Sequence, residues 1–111
     1  MEKIVQEQLD AYNSRDLERF CACYHPDVKV VRLLSGVTTV TNISELREVY
    51  RNLFASNPQL HCELRSRIVL ESSVIDEEFV TGLQRAPNGV HAVAIYGFRD
   101  HLIDRVWFPR E

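Results

Sequence analysis

The sequence predicts an α+β domain, with three helices in the N-terminal half packed on one face of a curved antiparallel sheet of about five or six strands. Three observations carry this. The chain closes on two β-runs, Val90–Phe98 and Leu102–Phe108, separated only by Arg99-Asp100-His101. Helical periodicity is confined to the segments before Pro58, apart from a strand-like interval near residues 28–41. A hairpin pattern then fills residues 60–84. Helices followed by a meander of strands make a half-open cone, with a mouth that a small molecule can enter.

The elements follow in order. Val5, Leu9 and Tyr12 form the apolar stripe of a first helix, about Glu2 to Asn13. Asp16 caps a second, in which Leu17, Phe20, Cys21 and Tyr24 recur at helical spacing. His25-Pro26-Asp27 is expected to stop it, because a residue before proline avoids the helical region. Val28–Leu34 and Val37–Thr41 read as strands around Ser35-Gly36. Asn42 and Ser44 compete to cap a third helix, whose stripe is Leu46, Val49, Tyr50, Leu53 and Phe54 and which Asn57-Pro58 ends. Leu60–Glu71 and Val74–Gln84 form a hairpin across Ser72-Ser73, and Pro87-Asn88-Gly89 turns the chain into the closing pair.

Composition sets bounds. With 111 residues, 45% of them apolar, the chain suits one domain, residues 1–111, with one core. A net charge of −3 without a basic stripe argues against nucleic acid or an anionic membrane as partner. The chain holds no apolar run of membrane-spanning length and opens without a signal-peptide pattern, so a cytoplasmic protein is expected. Cys21, Cys23 and Cys62 lack the spacing of a disulfide framework or zinc knuckle and read as buried thiols. His25, His61, His91 and His101 do not fall at metal-ligand spacing, and no metal or other cofactor is expected. His25 reads as a surface residue at a helix end.

Several strings carry a resemblance: Leu9-Asp-Ala-Tyr-Asn-Ser-Arg-Asp16, Tyr24-His-Pro-Asp27, Val93-Ala-Ile-Tyr96 and Leu102-Ile-Asp-Arg-Val-Trp-Phe108. Together with the layout they resemble the nuclear transport factor 2-like superfamily, with its cystatin-like roll, and within it the SnoaL-like and ketosteroid-isomerase-like proteins. The resemblance implies a curved sheet around a long helix, a conical pocket between them, and a homodimer through the outer sheet face. It does not imply one activity, since the superfamily hosts isomerases, cyclases, dehydratases, hydrolases and binding modules. Aligned on these strings, the catalytic aspartate, tyrosine and second aspartate of ketosteroid isomerase fall at Arg32, Gln8 and Ala94. None matches, so a steroid delta-isomerase mechanism is not supported by these residues.

Strand alternation sorts the faces. Leu60, Cys62 and Leu64 share one face, read as the core, while His61, Glu63, Arg65 and Arg67 share the other. Comparison with the ketosteroid-isomerase-like pattern turns Asp76 and Glu78 inward. Their strand positions lie about 6.6–7 Å apart, and in low dielectric one of the two would hold its proton and could shuttle it. Arg32 shares a face with Val28, Val30 and Leu34 and is the expected counter-charge. Ala94 and Tyr96 share a face, the alanine leaving room for a ligand; Trp107 is expected as an aromatic wall, with Tyr12 and Tyr24 adding phenols from the helices. Each has a plainer reading: solvated acids at the rim, a structural salt bridge for Arg32, core packing for the aromatics.

Three functions stay open. The first is an isomerase- or lyase-type proton-transfer enzyme on a small carbonyl compound, with Asp76, Glu78 and Arg32 catalytic and Tyr96 helping to hold developing charge. The second is a module that binds a small apolar or carbonyl-containing ligand through Tyr12, Tyr24, Cys62, Ala94, Tyr96 and Trp107 without turnover. The third is a structural dimer whose cone is filled by its own side chains.

Overall fold

The computed structural model describes residues 1–109. Helix α1 (Glu2–Asn13) buries Val5, Gln8, Leu9 and Ala11 along one stripe. Asp16 caps α2 (Leu17–Ala22) by accepting from the Arg19 amide at 3.2 Å. The helix is only six residues long, so Tyr24 opens strand β1 (Tyr24–Arg32) instead of closing the helix. Pro26 therefore sits inside a strand, within the interval between Tyr24 and Lys29 where pairing is irregular. This is where proline is tolerated in a sheet. His25 likewise belongs to β1 and not to a helix end; the Asp27 amide donates to its Nδ1 at 3.0 Å.

Strand β2 (Thr38–Val40) is short, and Asn42 is the cap of α3 (Ile43–Ser56), accepting from the Glu45 amide at 3.0 Å. The Glu45 carboxylate accepts in return from the Thr41 amide at 2.8 Å, which satisfies a second free donor at this helix start. Strands β3 (His61–Val69), β4 (Ser73–Thr81), β5 (Val90–Arg99) and β6 (Leu102–Phe108) follow as a meander. The predicted α+β class is the observed one. The sheet order is β2-β1-β6-β5-β4-β3, and one pairing departs from the expected antiparallel pattern, because β6 returns beside β1 in parallel.

Helices cover the concave face of this curved, unclosed sheet, and Val5, Phe20, Leu46, Leu60, Val74 and Ile103 form the fully buried centre between the layers. Polar clamps fix the layers together. The Asn13 side chain donates to the Cys62 carbonyl at 3.0 Å and accepts from the Cys62 amide at 2.7 Å, bonding the end of α1 to β3 as a strand would. Asn57, at the end of α3, donates to Leu53 O and accepts from the Gln84 amide at 2.9 Å. Among the described residues no helix is long and apolar enough to cross a membrane.

Candidate functional site

Alternation along β4 puts Val74, Asp76, Glu78 and Val80 on the concave face, and both acids are buried, Asp76 fully and Glu78 at 7% exposure. Their surroundings differ. Asp76 is bound by Arg67, whose Nε and Nη2 donate to its two carboxylate oxygens at 2.7 and 3.0 Å. The same guanidinium donates to Gln6 Oε1 at 2.9 Å, so the pair is tied to the start of α1.

The partner of Asp76 is thus Arg67 and not Arg32. Arg67 was expected outside by simple alternation. A bulge between Leu64 and Ser66 puts Arg65 and Ser66 both toward the outer face and returns Arg67 to the inner one. Arg32 is the last residue of β1, exposed, where its backbone closes the turn to β2 through Arg32 N to Val37 O. It joins neither acid, and its proposed catalytic role lacks a geometric basis.

Glu78 faces a cavity of about 310 Å³ between the helices and the sheet. Among the described residues it is the only carboxylate in the lining, and Arg85, on the segment between β4 and β5, is the only cation. Tyr12 from α1, Tyr24 from β1, Tyr50 from α3 and Tyr96 from β5 all line it. The chain has four tyrosines in all. Every tyrosine therefore faces one space, reached from four different elements. Phe20 completes the aromatic wall, its ring 4.5 Å from Tyr50 and 5.0 Å from Tyr24, centroid to centroid.

The electrostatics follow from burial. Desolvation and the negative charge of Asp76 push the Glu78 carboxyl up to about 7, while the adjacent Cys62 thiol and Arg67 pull it the other way. Burial likewise raises all four phenols, Glu78 adding to the effect, so they stay protonated. The Cys62 thiol is raised by burial and by Glu78 and is a poor nucleophile. All three cysteines are free and buried.

Gln8 organises the phenols. Its Nε2 donates to the Val5 carbonyl at 3.1 Å and to the Tyr96 hydroxyl oxygen at 3.2 Å. A carbonyl can only accept, so the amide nitrogen must lie on that side. Its Oε1 then accepts from the Tyr24 hydroxyl at 3.1 Å. Tyr96 receives a hydrogen bond from Gln8 and keeps its own proton to donate.

Of the residues singled out from sequence, Glu78, Tyr12, Tyr24, Cys62 and Tyr96 line the cavity. Asp76 lies buried behind it, and Ala94 is packed in the core. Trp107 is on the opposite face of the sheet: Val106 pairs with Tyr96 and lines the cavity, which turns Trp107 outward beside Ile95. Sequence reasoning missed Tyr50, Gln8, Arg67 and Arg85 as parts of the site. Tyr50 was hidden in a regular apolar stripe. Gln8, one residue from Leu9 and three from Val5 on the buried side of α1, was the one detectable anomaly. Among the described residues no group of three or more His, Cys, Asp or Glu could hold a metal ion.

Known proteins agree with this architecture. An uncharacterised cystatin-fold protein from Novosphingobium aromaticivorans superposes with a TM-score of 0.87 at 22% identity, covering 97% of this chain and 96% of its own. A SnoaL-like protein of unknown function from Burkholderia thailandensis gives 0.80 at 17% identity, with 96% and 91% covered. A protein with a ketosteroid-isomerase-like fold from Catenulispora acidiphila gives 0.75 at 16% identity, with 95% and 82% covered. Likeness at these identities concerns the fold. No curated protein matches the chain. Residues 5–106, nearly the whole chain, match the SnoaL-like domain, and the protein belongs to that family.

Proposed function

We propose that the protein catalyses proton transfer on a small carbonyl compound, an isomerase- or lyase-type reaction in which Glu78 alone moves the proton. The observation that carries this reading is Glu78 itself: a buried carboxyl, poised near neutrality, facing a cavity that every tyrosine of the chain lines. A general base works best when its pKa lies near the working pH. Tyr96, held by Gln8, donates a hydrogen bond to the carbonyl oxygen as negative charge develops there and keeps its proton. Asp76, fastened to Arg67, supplies negative charge that lifts Glu78. The cavity lies at the small end of the roughly 300–1,000 Å³ usual for ligand sites, which favours a compact substrate over a fused polycycle.

The test is exchange of protons next to the carbonyl of small ketones and oxo acids in heavy water, followed by NMR. Exchange should rise as pH passes through about 7, and Glu78→Gln should abolish it. Exchange that survives Glu78→Gln would remove the assignment. A second reading, binding without turnover, is favoured by the largely aromatic and aliphatic lining. Ligand uptake without exchange by any substrate would select it.

Dimerisation through the outer sheet face belongs to the same proposal. Ile68, Ile75, Ile95, Trp107 and Val31 stand in register across five adjacent strands on that face. This continuous apolar row is a self-complementary surface for a second copy of the chain.

A further inference from the structure

Arg85 stands apart from the other described arginines. Arg19, Arg47, Arg51, Arg65, Arg67 and Arg99 all pair with carboxylates. Arg15 donates to the Leu60 carbonyl, Arg105 lies near the Trp107 ring, and Arg32 lies outside the cavity lining. Arg85 makes no hydrogen bond or ion pair among the described residues, yet it lines the cavity. Its positive charge reaches the Tyr12 phenol, another residue of the lining.

The segment that presents it is built rather than slack. Gly82 and Gly89, at its two ends, have φ of +79° and +85°. A Cβ on Gly82 would sit 2.1 Å from the Gln59 carbonyl oxygen, and one on Gly89 would sit 2.5 Å from the Phe79 ring. Close packing therefore fixes both ends. Between them Leu83 is buried, the Gln84 amide donates to Asn57 Oδ1, and Ala86 N and Gly89 N bond back to Leu83 O and Ala86 O. Residues on both sides of Arg85 are thus anchored, which fixes its backbone at the cavity's edge, and only the side chain has rotamer freedom left to lose on binding.

The cavity is consequently polarised, with an exposed cation at its mouth and a single buried carboxyl inside. We infer that it takes small amphiphilic carboxylates, the anionic end gripped by Arg85 at the mouth and the apolar, carbonyl-bearing end among the tyrosines beside Glu78. The placement of the carbonyl rests on the proton-transfer reading; the grip on the anion does not. An arginine fork matches a carboxylate in geometry as well as charge. An anion placed deeper would meet Glu78, so orientation is set by both ends together.

Benzoylpropionate and its methyl ester test this, because they differ only in the anionic end. Calorimetric titration of the wild-type protein should favour the acid over the ester by about tenfold, the size expected for one charge-assisted contact. In Arg85→Gln the preference should fall to near unity while the ester binds as before. An unchanged preference in Arg85→Gln overturns the inference, as does wild-type protein that binds both probes equally or neither. Methylene-proton exchange on bound benzoylpropionate separates the two proposals. Arg85-dependent binding without Glu78-dependent exchange leaves the anion site standing and removes the reaction. Exchange of other ketones with no part for Arg85 does the reverse.

Discussion

Glu78 and Asp76 are two residues apart on one strand, yet their surroundings differ. Asp76 has a guanidinium on both oxygens, whereas Glu78 faces open cavity. The folded protein holds the Glu78 proton up to about pH 7, and the unfolded chain releases it near 4.5. The folded state therefore binds the extra proton between these values. Its relative advantage is complete below about 4.5 and is lost as pH rises through about 7. The accumulated cost above that point is roughly 3 kcal/mol, from 1.36 kcal/mol per unit over about 2.5 units. Glu78→Gln should accordingly raise the melting temperature over wild type at pH 8, with the difference shrinking towards pH 5. The Arg67–Asp76 pair behaves differently. Arg67→Ala leaves a fully buried carboxylate without its cation and should cost about 3–5 kcal/mol in denaturant unfolding. The double variant Arg67→Met/Asp76→Leu should lose much less, since no charge is stranded.

At the level of elements, alternation sorted β4 and β5 well and failed where a strand is irregular or ends. Asp76 and Glu78 share a face, as period two groups them, and it is the inner one that the family resemblance implies; Tyr96 is likewise buried. Arg67 did not follow period two, because a bulge is one added residue and leaves no mark in an apolar-polar pattern. Trp107 failed for another reason. Alternation gives two faces of a strand without saying which is inner, and in β6 the inner residues are Ile103 and Val106, bracketing Asp104 and Arg105. The register shift between Gly97 and Phe98 lies opposite that interval. Cross-element clamps were equally invisible, since Asn13 reads as a helix end in any alignment-free view. Its side chain satisfies both backbone groups of Cys62, a residue of the cavity wall. Asn13→Ala should destabilise by about 1–3 kcal/mol through the stranded backbone groups. Hydrogen exchange at the Cys62 amide should speed up more than at amides elsewhere in β3.

On the scale of the whole molecule, the fold class, the helix count and the strand count were legible because helices and strands occupy separate stretches of the chain. The cone's contents were not, since the distance between α1, α3 and the sheet decides which aromatics pack and which line a space. Trp107 now serves as a reporter for the outer face. Its emission should stay unchanged when ligands fill the cavity and should shift when the protein is diluted through a dimer's dissociation range. Sedimentation velocity at micromolar concentration should show the dimer, and Trp107→Glu should leave monomer, by placing a charge in the middle of the apolar row. A wild-type monomer at that concentration would remove the dimer proposal.

The parallel seam between β1 and β6 joins residues 24–32 to residues 103–108. Emerging from a ribosome, β1 must wait for about 70 further residues before its partner exists. Until then it can pair only with the three-residue β2, while β3, β4 and β5 can already pair with one another and receive α1. Loop closure over such a span comes late and tends to slow folding. Nascent chains arrested before β6 should therefore be protease-sensitive across β1. A circular permutant opened at the turn between β1 and β2 would place β1 after β6 and change that timing while keeping the strand order of the sheet.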